Sequence, residues 1–329
     1  MLKRLLRASG FFPILLGLLI TAPLSLLYAQ GSSGGVRNIE AGQPPVVIHS
    51  TVGNAAGGHG GGPPSQNLSY HSGTGGIGVE TAPKIYLVLW GSQWNNNDPS
   101  GEAALLASFY NGVGGSSWLN SVTQYCQGVA KGTVFCNGAG TPAGNQAGIL
   151  AGSWADNASS APASPTQAQL AAEAVKAANH FGNTSAASNA SVQYVIATAT
   201  QNSSSGFGTQ YCAWHSSTGS TSVGNVAYTN LPYITDAGTS CGAGFNGLGP
   251  DAGITIVGGH EMGETITDQF PSSGWVDGKG AENGDKCAWI SSGQGASANI
   301  TLSTGTFPVQ SLWSNAFNSD KGGCVLSYP

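Results

Sequence analysis

Within the run Gly258 to Asp268, His260 and Glu264 stand four residues apart. On a helix that spacing puts both on one face, about 6 Å apart along the axis, where an imidazole and a carboxylate converge on one ion. Glu261 sits beside His260, the place where the zinc-peptidase pattern His-Glu-x-x-His keeps its general base. Here Glu264 replaces the second histidine, and zinc accepts carboxylate oxygen as well as imidazole nitrogen. The competing reading is a helix with a buried histidine and a solvated acidic edge.

The surroundings favour an ion. The chain has 15 acidic residues, and Glu261, Glu264, Asp268, Glu282 and Asp285 all fall shortly after His260. Buried carboxylates need a partner to offset desolvation, and the run offers only Lys279 and Lys286. His260 and Glu264 are the first two candidate metal ligands, with Glu282 and Asp285 next. Asp268 and His215 are alternatives for the third position, and His71 is more remote. His215 also reads as a substrate-polarising donor, and the favoured competing reading is a core histidine bonded to backbone.

These residues need a helix over about 251–269. Gly249-Pro250-Asp251 forms a turn with Asp251 as N-cap, and Pro271 lies beyond the end. Ile254, Ile256, Val257, Met262 and Ile266 mark the helix as mostly buried. Upstream, Lys84–Trp90 is a continuous apolar run, expected as an interior strand. Gly101–Asn111 and Trp118–Tyr125 read as helices and Gly148–Trp154 as a strand. Ser164 and Pro165 open a helix that runs to about His180, whose charge complements the helix dipole. Ser191–Ala199, Tyr211–His215 and Asn225–Asn230 read as strands. The order predicts an α+β fold in which a mixed sheet packs with helices, the element order of zincin-type domains.

Of the 329 residues only 8% are charged, 51 are glycine, and the formal net charge is −5. With no basic run after residue 7, nucleic acid is not expected as a partner. Residues 1–29 read as a secretory signal: Lys3, Arg4 and Arg7, then an apolar segment from Phe11 to Leu27, then Ala29 before cleavage. A retained anchor is the alternative, disfavoured by Pro13 and Pro23. No later segment is apolar for long enough to span a bilayer, so no membrane association is expected once the signal is removed. Residues 30–66, with His49 and His59, read as a flexible tail or propeptide, and 67–329 as one metal-binding domain. Six cysteines in a secreted chain predict three disulfides. Closing the nearest loops pairs Cys126 with Cys136, Cys212 with Cys241 and Cys287 with Cys324, stabilising the C-terminal loop region.

Several stretches together resemble the phosphate-induced/EXORDIUM-like family of secreted proteins and its bacterial relatives. They are Tyr70–Gly73 leading into Pro83–Gly91, Tyr211–His215, Gly259–Glu264 with Thr267-Asp268, Gly274-Trp275, Glu282–Cys287, and Val309–Asn315 before Cys324. The resemblance spans about 68–326 and implies an extracellular or cell-wall protein. Its bacterial relatives look like metallopeptidases, whereas the plant members are linked to growth without an assigned chemistry. The pairing of Glu282 with Asp285 is similar to gluzincin peptidases, where the Glu binds zinc and an Asp orients a ligating His.

Two functions are therefore expected. The first is a secreted zinc-dependent hydrolase acting on extracellular protein or peptide. In it Glu261 takes a proton from a metal-activated water and passes it to the leaving amine. The alternative is a non-catalytic cell-wall protein whose cluster holds a structural ion, zinc or calcium. There Trp90, Trp94, Trp118, Trp154 and Trp313 would offer a surface to wall polymers.

Overall fold

The computed structural model describes residues 67–271 and 273–328. The expected leader (1–29) and tail (30–66), with His49 and His59, lie outside the described residues. A five-stranded sheet forms the frame. Its strands are β1 (Lys84–Trp90), β2 (Leu150–Asp156), β3 (Val192–Thr198), β4 (Trp214–Ser217) and β5 (Ala227–Leu231). They lie in the order β2-β1-β3-β5-β4. The first four of that order run parallel and β4 closes one edge antiparallel, hairpinned to β5. The sheet is mixed, as expected, and β1 has a neighbour on each side.

Alternation along β1 explains the layering. Ile85 and Leu87 turn to one face and join Leu106 and Phe109 of α1 (Glu102–Val113) and Ile254, Met262 and Ile266 of α3 (Ala252–Thr267). Val88 and Trp90 turn to the other face and join Leu170, Ala174 and Ala177 of α2 (Gln167–His180). Helices thus cover both faces. Every residue of β3 is buried for that reason, Gln193 and Thr198 included.

The C-terminal region wraps α3. It contains the hairpin β6 (Ala298–Leu302) and β7 (Gly305–Val309), then the pair β8 (Leu312–Ser314) and β9 (Gly323–Val325). With the sheet behind it and this region in front, α3 is buried at every position except His260. All three disulfides pair as expected, Cys126 with Cys136, Cys212 with Cys241 and Cys287 with Cys324.

Several local expectations are corrected. The second helix begins at Gln167 and not at Pro165: Thr166 is its N-cap and forms a capping box with Gln169. A reciprocal pair satisfies two backbone donors, which Ser164 ahead of a proline does not. The helix expected over Trp118–Tyr125 is present as a 3₁₀ helix, Leu119–Gln124. The strand expected over Tyr211–His215 is Trp214–Ser217, because the Cys212–Cys241 bridge anchors the preceding residues. Asp251 occupies the N-cap position of α3, but its side chain makes no capping bond. His180 stacks flat on Trp154, ring centroids 4.0 Å apart, which goes beyond a dipole role. Trp90, Trp94, Trp118 and Trp313 are buried in the core and offer no surface to a polymer.

Candidate metal centre

Three elements bring the site together. α3 presents His260, Glu261 and Glu264; β4, at the sheet edge, presents His215; the loop after the Trp275–Val276 strand presents Glu282 and Asp285. Asn283 fastens that loop to the helix. Its side-chain amide donates to the Gly263 carbonyl (3.1 Å) and to the Thr267 hydroxyl (3.0 Å), while its backbone carbonyl accepts from the Trp313 backbone N–H of β8 (2.8 Å). The Asp285 N–H donates to Glu264 Oε1 at 2.7 Å. Gly284 makes this approach possible: a β-carbon there would stand 2.8 Å from Glu264 Oε1 and 3.0 Å from His260 Nδ1.

The His260 ring is oriented by Gln310, just beyond β7. Gln310 Nε2 donates to the carbonyls of Gly284 (2.8 Å) and Ser311 (3.2 Å). Its Oε1 is therefore left as an acceptor, 3.1 Å from His260 Nδ1. With the proton on Nδ1, the Nε2 lone pair faces Glu264 Oε1 at 3.0 Å and Asp285 Oδ1 at 3.8 Å. Three acceptors aimed at one point require a cation between them, either a proton or a metal. His260 and Asp285 are also the partly exposed members of the cluster, at 15% and 14%.

Deeper in, His215 is wholly buried. Its Nδ1 lies 3.5 Å from Glu261 Oε2 and 3.7 Å from Glu264 Oε2, and its Nε2 lies 3.5 Å from Glu282 Oε1. None of these atoms has a hydrogen-bond partner. The expected alternative of a backbone-bonded core histidine is therefore not what the fold provides. Orphaned buried donors and acceptors are uncommon in folded proteins, and several in one pocket fit an ion.

Two groups of three could hold a metal ion, His260–Glu264–Asp285 and His215–Glu264–Glu282. The structure thus brings together His260, Glu261, Glu264, Glu282, Asp285 and His215. Asp268 stands apart as a brace: its Oδ1 accepts from the N–H groups of Ser273 and Gly274 and from the Ser273 hydroxyl. His71 belongs to neither group; its N–H donates to the Gly274 carbonyl.

Electrostatics follow from burial. Desolvation would lower both histidines, but the carboxylates of Glu261 and Glu264 outweigh it at His215, and Glu264 holds His260 well above the usual imidazole range. Burial pushes Glu261 up against the pull of His215. Burial and the Glu264 charge push Glu282 and Asp285 well up. Neighbouring lysine does not relieve this, because Lys286 pairs with Asp277 (3.2 Å) and lies over the Trp313 ring.

Sequence reasoning missed Gln310 and the close packing at Gly284. Neither residue type belongs to the usual zinc ligands, and nothing local in the chain signals which loop will fold against His260. No protein-family model, curated protein or solved structure matches the chain.

Proposed function

We propose that this is a secreted, metal-dependent hydrolase of peptidase type, with zinc held by His260, Glu264 and Asp285 and with Glu261 as general base. The reading agrees with the resemblance to EXORDIUM-like proteins and with a zincin-like arrangement. One observation carries it: His260 Nε2, turned by Gln310 toward two carboxylates, lies at the exposed edge of the cluster with Glu261 adjacent on the same helix.

When bound, zinc would supply a Lewis acid that acidifies water and polarises a carbonyl. The chain's own residues do the rest. Gln310 fixes the imidazole tautomer, and the Asp285 N–H holds Glu264 Oε1 in place. Burial raises Glu261, which makes its carboxylate a stronger base for taking a proton from water and returning it to a leaving amine. The substrate would be an extracellular protein or peptide.

A second reading, a non-catalytic wall or matrix protein with a structural zinc or calcium, is favoured by the depth of the site. Glu261 and His215 are buried. Two surface clefts, around Thr123–Pro142 and around Gly112–Ser303, are lined by none of the site residues.

Glu261→Gln separates the two readings. Metal content by mass spectrometry should match the wild type, while turnover on a peptide library falls by about 10²- to 10⁴-fold, the scale of a lost general base. Cleavage at the wild-type rate in the variant would eliminate the mechanism. A metal-loaded wild type that cleaves nothing would establish the second reading.

A further inference from the structure

We infer that the centre holds two divalent cations, with Glu264 bridging them and the second ion in the buried group His215–Glu264–Glu282. The inference rests on the reading above only for the ion at His260, and not on catalysis.

Reach is the first argument. Zinc holds its nitrogen and oxygen donors at about 2.0–2.2 Å, so two donors on one ion stand at most about 4.4 Å apart. Within each group the ligand atoms lie within 4.8 Å of one another, and no group among the described residues unites His215 with His260. One ion at either position leaves the other histidine out of reach.

The division of Glu264 is the second. Oε1 faces His260 Nε2 and receives the Asp285 N–H. Oε2 faces His215 and has no partner. A carboxylate with one oxygen committed to each side is the bridge that two-metal sites use, with ions about 3.5–4 Å apart.

His215 is the third and independent observation. Both its ring nitrogens are fully buried and unpartnered, together with Glu261 Oε2, Glu264 Oε2 and Glu282 Oε1. Glu282 Oε1 lies 3.5 Å from Nε2, on the ion's side of the ring, and Glu261 Oε2 lies 3.5 Å from Nδ1, placed to hold the opposite N–H. The second ion would tie β4, α3 and the 282–285 loop together, so its role is structural.

The test is metal stoichiometry on the secreted chain after zinc loading and dialysis, with thermal melting followed by circular dichroism. Two zinc ions per chain are expected in the wild type, leaving in two steps on chelator titration. His215→Ala and the isosteric Glu282→Gln should each retain one and melt lower, with Glu282→Gln as the variant to trust if His215→Ala does not fold. One zinc in the wild type, unchanged in Glu282→Gln, would overturn the inference. His260→Ala at the wild-type count would instead remove the hydrolase reading and leave the buried ion standing.

Discussion

Gln310 decides what His260 can do. An imidazole with a free choice of tautomer would put its proton on the side facing Glu264; the Gln310 amide, pinned by the Gly284 and Ser311 carbonyls, takes the proton to Nδ1 instead. Partners of this kind are worth about 10- to 100-fold in metal affinity. Gln310→Met keeps the volume and removes the acceptor, so zinc affinity measured against a competing chelator should fall by that factor; equal affinity would dismiss the role. Glu80 shows the same physics away from the site. It is buried, with Oε2 accepting from Gln193 Nε2 and Oε1 unpartnered, and desolvation raises its carboxyl to about 8. A carboxyl raised on folding stabilises below its unfolded value near 4.5 and loses that contribution as pH rises toward 8. Chemical denaturation should therefore show stability falling by about 2–4 kcal/mol between pH 5 and 8 from this group, and Glu80→Gln should flatten the slope.

The helix and the loop set the geometry that the residues use. α3 can lie deep in the molecule because Gly258 and Gly259 present no side chain to α1. A β-carbon at Gly258 would meet the Tyr110 hydroxyl at 2.9 Å, and one at Gly259 would meet Phe109 at 3.2 Å and Trp118 at 3.3 Å. Gly284 does the same for the loop. Gly284→Ala would drive a methyl into Glu264 Oε1 and the His260 ring, and we expect it to reduce zinc binding at least tenfold while the sheet stays folded, as read by metal content beside far-ultraviolet circular dichroism. The contrast is Thr166→Ala, on the far face of the sheet. It should lower stability by about 1 kcal/mol through the lost cap and leave metal content unchanged.

At the scale of the molecule, the site sits where three separate parts of the chain meet, and a disulfide holds the last of them. Cys287 follows Asp285 directly through one turn and is bridged to Cys324 of β9, 37 residues on. Closing a loop of that length is worth about 4 kcal/mol. Replacing both with serine should lower the melting temperature and weaken zinc binding together. The Cys126–Cys136 bridge closes a shorter loop that carries none of the candidate ligands, so its loss should leave zinc affinity as it was. Equal zinc affinity in the two double variants would show that the loop needs no tether.

Much of the site was legible in the chain alone. The spacing of His260, Glu261 and Glu264 puts them on one helix, the apolar positions around them call for its burial, and acidic residues this concentrated in a chain so poor in charge mark a group that could hold a metal ion. The three disulfides followed from short loops, and β1 from its continuous apolar run. Those are local properties, set by helix pitch, alternation and loop entropy. What only the tertiary structure decided is which distant groups face them. His215 read in the chain as a ligand or a core histidine; strand pairing at the sheet edge turns it toward Glu261, Glu264 and Glu282. Gln310 and Gly284 carried no signal, because a carboxamide and a missing side chain gain meaning only from what packs against them. Four of the five tryptophans that looked available to a polymer went to the core for the same reason, Trp154 alone staying half-buried: burial is a property of the assembled layers and is not written in residue type.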